Sequence, residues 1–448
     1  MTIKAVHKTS DANLLAAWYQ AVHRKLPWRA TRDPYAIWIS ETMLQQTRVE
    51  TVIPYYEAFM SKYPTVSALA AADFEEVAKL WQGLGYYSRA RNLHRAAQVV
   101  MAEFGGTMPS SETEIRGLPG IGPYTAGAVL SIAFDEPVPA VDGNVLRVMA
   151  RFLGLEAPIE SSKVKQEITA MVEQWLQLVT PSILTQAVME LGAMVCTPRS
   201  PDCPRCPLQQ NCTAYRDGSQ ARLPVRKPKQ AKRCVDVYAL WYEQNGYLLM
   251  HRRPEAGLLA GMWELPALEY PAEPRTSGKL RVSHVESLDN IPDQVETDML
   301  TLLQQLHDSE MVSQHSQRLN SFARIAEERH LFTHVDWRVQ VLRPVGIKGF
   351  SVPGEAMQGE AKQGEIMQGE VMQGEVMHGE AMLGEAMLGE AKAPYDMGLP
   401  QSLDAWKIES EPEEDLGPQF RWVQIQELEK LVLPRVYEKL LSRILGDS

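Results

Sequence analysis

A mainly helical first half followed by an α+β second half is the architecture this sequence predicts, and three observations predict it. Residues 12–215 carry repeated helix start and stop signals without the alternation of strands. From Val235 the apolar pattern shifts to short runs of period two. Between the halves lies ARLPVRKPKQAKR, residues 221–233, with six basic residues, two prolines and no acid, a composition that suits a linker and a phosphate contact. At 448 residues the chain exceeds one typical core, and its 45% hydrophobic content can fill more than one.

Each element follows from local chemistry. Ser88 precedes a helical stretch (RARNLHRAAQVVMAEF) that ends at Gly105-Gly106, and Asp73 is placed to cap FEEVAKLWQ, which stops at Gly83. The first half is therefore expected to be a helix bundle with short loops. In the second half VDVYALWY and YLLM flank Gln244-Asn245-Gly246, an Asn-Gly turn that favours a β-hairpin. A further strand is expected from Val335 to Val341, where Val335, Trp337, Val339 and Val341 alternate with Asp336, Arg338 and Gln340. FRWVQI adds another strand, and a helix should follow Pro434.

Residues 354–393 are eight tandem pentapeptides beginning Gly-Glu. A period of five matches neither helix nor strand, and a glycine in every repeat penalises both, so a disordered insertion is expected. The predicted domains are 1–220, a linker at 221–233, and 234–448 with that insertion.

The formal net charge is −11, but it is unevenly spread. Residues 1–233 hold 26 Lys and Arg against 21 Asp and Glu, a net +5, and the remainder holds 19 against 35, a net −16. Phosphate contacts are local and screened, so the basic half is the candidate for nucleic-acid binding despite its acidic neighbour. Apolar runs fall short of the ~18 residues of a membrane span, and the N-terminus lacks the apolar core of a signal peptide. A cytoplasmic monomer without membrane contact is expected.

Two motifs carry chemistry. Cys196, Cys203, Cys206 and Cys212 form a CX6CX2CX5C array, a spacing that argues for metal rather than disulfides. One CX2C is embedded in a compact loop, 196–212, so both a structural zinc and a 4Fe-4S cluster suit the four thiolates. Cys234 lies outside the array, at a strand start. The second motif is LPGIGPYTAGA at 118–128, followed by VDGN at 141–144. Gly120 and Gly122 permit a tight turn with outward amides, and the helix beginning near Pro123 adds its positive dipole end. Together they make a phosphate-binding hairpin between helices.

These motifs resemble the helix-hairpin-helix glycosylase superfamily with its iron-sulfur loop. Within it, ISETMLQQT (39–47) and GLGYYSRARNLHRAA (83–97) resemble the MutY-type adenine glycosylases, over nearly all of residues 12–215. The second half is more weakly similar to that family's Nudix-like lesion-recognition domain. The resemblance implies base-excision repair of adenine opposite 8-oxoguanine or guanine in double-stranded DNA, and a 4Fe-4S cluster on the four cysteines. Glu41 would be the general acid, Asp142 would face the cationic sugar, and Tyr124 and Asn144 would polarise and position the reacting groups. Gln45, Gln46 and Tyr86 would wedge into the duplex. HLFTH at 330–334 resembles a Phe-Ser-His loop that contacts 8-oxoguanine, with Thr333 in place of Ser between Phe332 and His334.

The chemistry also follows from the residues. Expelling adenine needs protonation of the base and stabilisation of an oxocarbenium-like sugar, hence two carboxyls of different pKa. Glu41 sits among Ile39, Met43 and Leu44, where burial would keep it protonated, while Asp142 would stay ionised. Ordinary alternatives stand beside these roles: a first-turn helix acid for Glu41, an N-cap for Asp142, bundle core for Tyr86, a polar helix face for the glutamines, and a strand start for 332–334.

Bifunctional relatives carry Lys at the position of Tyr124, and a phenol cannot form their Schiff base, so a monofunctional enzyme is expected. An endonuclease III-like lyase and a non-catalytic mismatch-binding scaffold are the competing readings. GMWELP (261–266) resembles the approach to a Nudix box, but residues 267–280 supply no REXXEE helix, so the second domain is expected to bind rather than hydrolyse.

Overall fold

The computed structural model describes residues 6–228, 231–254, 256–273, 291–308, 321–345 and 419–446. They form two compact units that divide between residues 228 and 231. The pentapeptides at 354–393 lie outside the described residues. No described helix is long and apolar enough to cross a membrane.

The first unit is built from α1 (Val6–Val22), α2 (Pro34–Leu44), α3 (Val49–Lys62), α4 (Val66–Ala70), α5 (Phe74–Leu80), α6 (Ser88–Phe104), α7 (Glu112–Gly117), α8 (Pro123–Phe134), α9 (Gly143–Leu153), α10 (Ser162–Leu176), α11 (Pro181–Met194) and α12 (Thr213–Arg216). Side-chain oxygens of Asp33, Asp73, Ser111, Asp142 and Ser161 accept backbone N–H groups at the starts of α2, α5, α7, α9 and α10. Proline opens α2, α8 and α11, where its missing N–H costs nothing. Gly105 ends α6 in the left-handed conformation, as the sequence predicts. Ser88 does not cap α6: the helix begins at Ser88 itself, with Tyr87 in the capping position and no side-chain cap.

Two apolar cores result. One gathers Trp38, Phe59, Trp81 and Leu130 from α2, α3, the turn after α5 and α8. The other gathers Leu15, Met149, Trp175 and Leu191 from α1, α9, α10 and α11, and Met189 packs against both. The end of α2 meets the start of α8 through the hydrogen bond between Glu41 and Tyr124. Of the basic stretch 221–233, Leu223 is buried, the Val225 carbonyl accepts the Ile159 N–H at 3.0 Å, and the Lys227 N–H donates to Glu160 at 3.1 Å. The chain through Lys227 is thus seated on the first unit.

The second unit contains β1 (Arg233–Leu240), β2 (Glu243–Gln244), β3 (Tyr247–Arg252), β4 (Trp263–Glu264), β5 (Ala267–Ala272), α13 (Asp293–Asp308), β6 (Ser321–Leu331), β7 (Val335–Val345), β8 (Phe420–Gln424) and α14 (Arg435–Leu445). One mixed sheet has the order β5-β1-β7-β6, with β1 and β7 parallel; in the other, β3 pairs with β2, β4 and β8. Asn245 and Gly246 both adopt positive φ, 54° and 78°, the turn that the Asn-Gly signal predicts.

The alternation in β7 holds, yet its polar side does not face water. Val335, Trp337, Val339 and Val341 pack with Val436, Tyr437 and Leu440 of α14. Leu342 on the opposite face joins Val295, Met299, Leu302 and Leu306 of α13. Asp336 and Gln340 are buried there, bonded to Arg329 and Arg324. A helix over each face of the sheet explains the departure from simple amphipathicity.

Candidate active site

Glu41 lies in the last turn of α2, not the first, because the helix begins seven residues earlier at Pro34. Its carboxyl is buried among apolar neighbours, and the Tyr124 hydroxyl donates to Oε2 at 2.5 Å from the first turn of α8. Burial dominates and pushes the Glu41 pKa up to about 7; the Tyr124 hydrogen bond and Arg29 oppose it, while the Asp142 charge adds to it. Tyr124 is itself held well above the usual phenol range by burial and by the two acids. A buried carboxyl whose hydrogen-bond partner is a phenol can hold and release a proton near neutral pH.

Asp142 is the N-cap of α9: Oδ1 accepts the Val145 N–H at 2.7 Å, and Oδ2 accepts Asn144 Nδ2 at 2.8 Å. Burial raises its pKa, against those donors and the Arg147 guanidinium. The cap fixes the orientation of a carboxylate whose charge is felt at Glu41. Arg147 extends the network, donating to Asn144 Oδ1, to the Gly192 carbonyl and to the Cys196 carbonyl, each at 2.8 Å. A Cβ at Gly192 would sit 2.6 Å from the Asn144 Cβ, so the glycine lets Asn144 approach.

Cys196, Cys203, Cys206 and Cys212 line one cavity with apolar walls from Val148, Phe152, Leu191, Val195 and Leu208. Burial pushes the Cys206 thiol up to about 12 and also raises Cys203 and Cys212, so the thiolates would need a cationic partner. Arg151 donates to Cys196 Sγ at 3.3 Å and to the carbonyls of Thr197 and Pro198 at 2.6 and 3.0 Å. Among the described residues no three His, Cys, Asp or Glu gather closely enough for a single ion.

The predicted wedge residues separate in role. Gln45 closes α2 and is half-buried, its Nε2 donating to Thr125 Oγ1 at 3.1 Å beside Tyr124. Gln46 is exposed with φ 59°, and Tyr86 is 46% exposed with φ 49°. Neither glutamine lies on a helix face and Tyr86 is not bundle core, so both ordinary alternatives fall. In the hairpin between α7 and α8, Gly120 has φ 75° and a Cβ there would meet the Asn92 Cβ at 2.5 Å. Gly122 is an extended N-cap at φ −88°, so of the two glycines only Gly120 needs the left-handed backbone.

Residues 332–334 form the tight turn between β6 and β7, closed by the Phe332 N–H donating to the Val335 carbonyl at 2.8 Å. The half-buried Phe332 ring packs edge-on to Trp337 and His330, with centroids 5.1 and 4.5 Å apart. It is an anchor of the turn, and the groups that project are His334 and Leu331, the latter 57% exposed. Sequence reasoning missed the buried arginines 89, 147 and 151, because a lone Arg in a helix carries no sign of burial. It also missed α13, although Val295, Met299, Leu302 and Leu306 had the helical spacing to reveal it.

Residues 39–174 match the HhH-GPD superfamily of base excision DNA repair proteins, a span that includes Glu41, Tyr124, Asp142 and Asn144. A protein of Buchnera aphidicola (subspecies Baizongia pistaciae) named adenine DNA glycosylase is 34% identical over 253 residues, covering 56% of this chain and 71% of that protein. The chain belongs to the adenine DNA glycosylase family. Proteins of the same name from mouse and human are 40% and 37% identical over 58% and 63% of the chain. The chain spans 61% and 64% of the length of those two relatives. The first unit is accordingly the helix-hairpin-helix glycosylase fold, with a sheet-containing second unit.

Proposed function

We propose that this chain excises adenine mispaired with 8-oxoguanine or guanine in double-stranded DNA. The observation that carries the reading is Glu41, a buried acid held by Tyr124 with a pKa near 7. Tyr124 occupies Oε2, leaving Oε1 to pass the proton to the departing adenine as its bond to the sugar breaks. Asp142, oriented by the Val145 N–H and Asn144, faces the positive charge that develops on the sugar. Water then adds to the sugar and completes a hydrolysis. With a phenol at Tyr124 no amine is provided there for a Schiff base, which supports a glycosylase without strand cleavage.

Gln46 and Tyr86 project as wedges that offset the few kcal/mol of unstacking, with Gln45 beside the flipped base. The Gly120 turn and the start of α8 suit a phosphate. The four cysteines would hold a 4Fe-4S cluster: they line a single cavity with apolar walls and supply the four thiolates such a cluster takes. Such a cluster would tie the four cysteines together and so fix the loop 196–212. In the second unit, a mixed sheet covered on both faces suits a Nudix-like binding module, and GMWELP runs on into β5 rather than into an acidic helix. His334 and Thr333 would read the opposite strand.

Single-turnover reaction of an adenine:8-oxoguanine duplex, with and without alkali, tests the reading. Free adenine with strand breakage only after alkali is expected. Breakage without alkali, trapped by borohydride, would favour the lyase, and binding without release of adenine would favour the scaffold.

A further inference from the structure

The two segments that carry Gln46 and Tyr86 meet on one side chain. Arg89, in the first turn of α6, is 9% exposed. Its Nη1 donates to the carbonyls of Thr42, Met43 and Gln45 at 2.8, 2.9 and 2.7 Å, at the negative end of α2. Its Nη2 donates to the carbonyls of Leu84 and Gly85, each at 3.1 Å, and to Thr47 Oγ1 at 3.4 Å. The guanidinium lies over Trp81 and Tyr86, 5.3 and 5.6 Å from the ring centroids. Every hydrogen-bond acceptor of this cation among the described residues is a neutral oxygen.

The gripped carbonyls have a particular place in the chain. The Gln45 carbonyl belongs to the peptide unit immediately before Gln46, and the Gly85 carbonyl to the unit immediately before Tyr86. Gln46 and Tyr86 are left-handed, a backbone that residues with side chains rarely adopt unless the surroundings impose it. One planar fork therefore holds the peptide unit preceding each strained residue. An ammonium, as a point donor, cannot span two segments in this way.

We propose that Arg89 is a positioning residue that sets Gln46 and Tyr86 together, so that they meet the duplex as one preformed fork. This rests on the reading above that the two side chains offset unstacking. A preformed fork matters when a stacked, paired adenine must be extruded, and little when the adenine is already unpaired.

The test uses the full chain and Arg89→Lys, which keeps the charge and most of the stem. Amide exchange in segments 45–48 and 83–87 should accelerate at least about tenfold in both, with α8 and α9 unchanged. Single-turnover excision should fall about 10- to 100-fold for adenine opposite 8-oxoguanine, and less than about threefold for adenine opposite an abasic site. Equal losses on both substrates, or acceleration in one segment only, would overturn the proposal. Should Arg89→Lys not fold, the unaltered protein decides it: the amides of Thr47 and Leu84, bonded to the Leu44 and Trp81 carbonyls, should open with one common rate, and independent opening refutes the clamp. If the unaltered protein excises neither substrate, the glycosylase reading fails while the exchange result still stands.

Discussion

Two buried carboxyls, one in the first unit and one in the second unit, are held in opposite ways. In the second, Glu264 is 3% exposed and both its oxygens accept from Arg253 Nη1, at 3.0 and 2.9 Å; burial alone would raise its pKa, but Arg253 and His251 bring it below the usual range. The half-buried Asp236 also accepts from one guanidinium, that of Arg338, at 3.0 and 2.8 Å. In the first unit Glu41 has a phenol where those acids have a guanidinium, and it rises to about 7. Glu264, with both oxygens on one guanidinium, is ionised and serves as scaffold, whereas an acid buried against a neutral donor keeps an exchangeable proton. Glu190 shows that the difference belongs to the site and not to the unit. Burial would raise its pKa, but Arg24 and Arg29 draw it down to about 2.

The sharpest way to break this comparison is to remove the proton. Glu41→Gln should lower single-turnover excision by about 100- to 10,000-fold while mismatch binding, measured by titration, persists. Near-normal excision would return Glu41 to the scaffold class. On the other side, Glu264→Gln leaves Arg253 buried with only part of its compensation, and urea unfolding should show a loss of about 3 to 5 kcal/mol.

The same contrast predicts opposite pH dependences of stability. Glu41 has a folded pKa above its unfolded value, so the folded state binds the extra proton and stability falls as pH rises from about 4.5 through about 7. Glu41→Gln should then stabilise the protein by up to about 3 kcal/mol at pH 8 and by nothing near pH 4, as denaturant titrations at the two pH values would show. Glu190 lies on the other limb: its contribution is present above about 4.5 and lost as pH falls toward about 2. The smallest effect concerns the turn of the second unit. Thr333→Ala with His334→Ala should narrow the preference for adenine opposite 8-oxoguanine over adenine opposite guanine by less than about tenfold, since hydrogen bonds that discriminate are removed but Phe332 still anchors the turn.

Much of the site was legible because its residues lie in short, distinctive stretches. The Gly120 turn, Tyr124, Asp142 and the cysteine spacing are local patterns with local physical reasons. The place of Glu41 within α2 was not, because the start of that helix depends on Asp33 and Pro34 rather than on Ser40. Nor was the burial of Asp336, Gln340 and Arg89. Their partners come from distant strands, a helix end and a loop, so no window of sequence contains the compensation. The loop at 332–334 was legible, but the packing of Phe332 was not, because its partner Trp337 lies across the turn.

The pH dependence of single-turnover adenine excision tests the central claim most directly. An acid at Glu41 with a pKa near 7 predicts a rate constant that is level at low pH and falls about tenfold per unit above about 7. That limb should vanish in Glu41→Gln. A rate that stays level or rises through pH 7, or a falling limb that survives the substitution, would contradict the account.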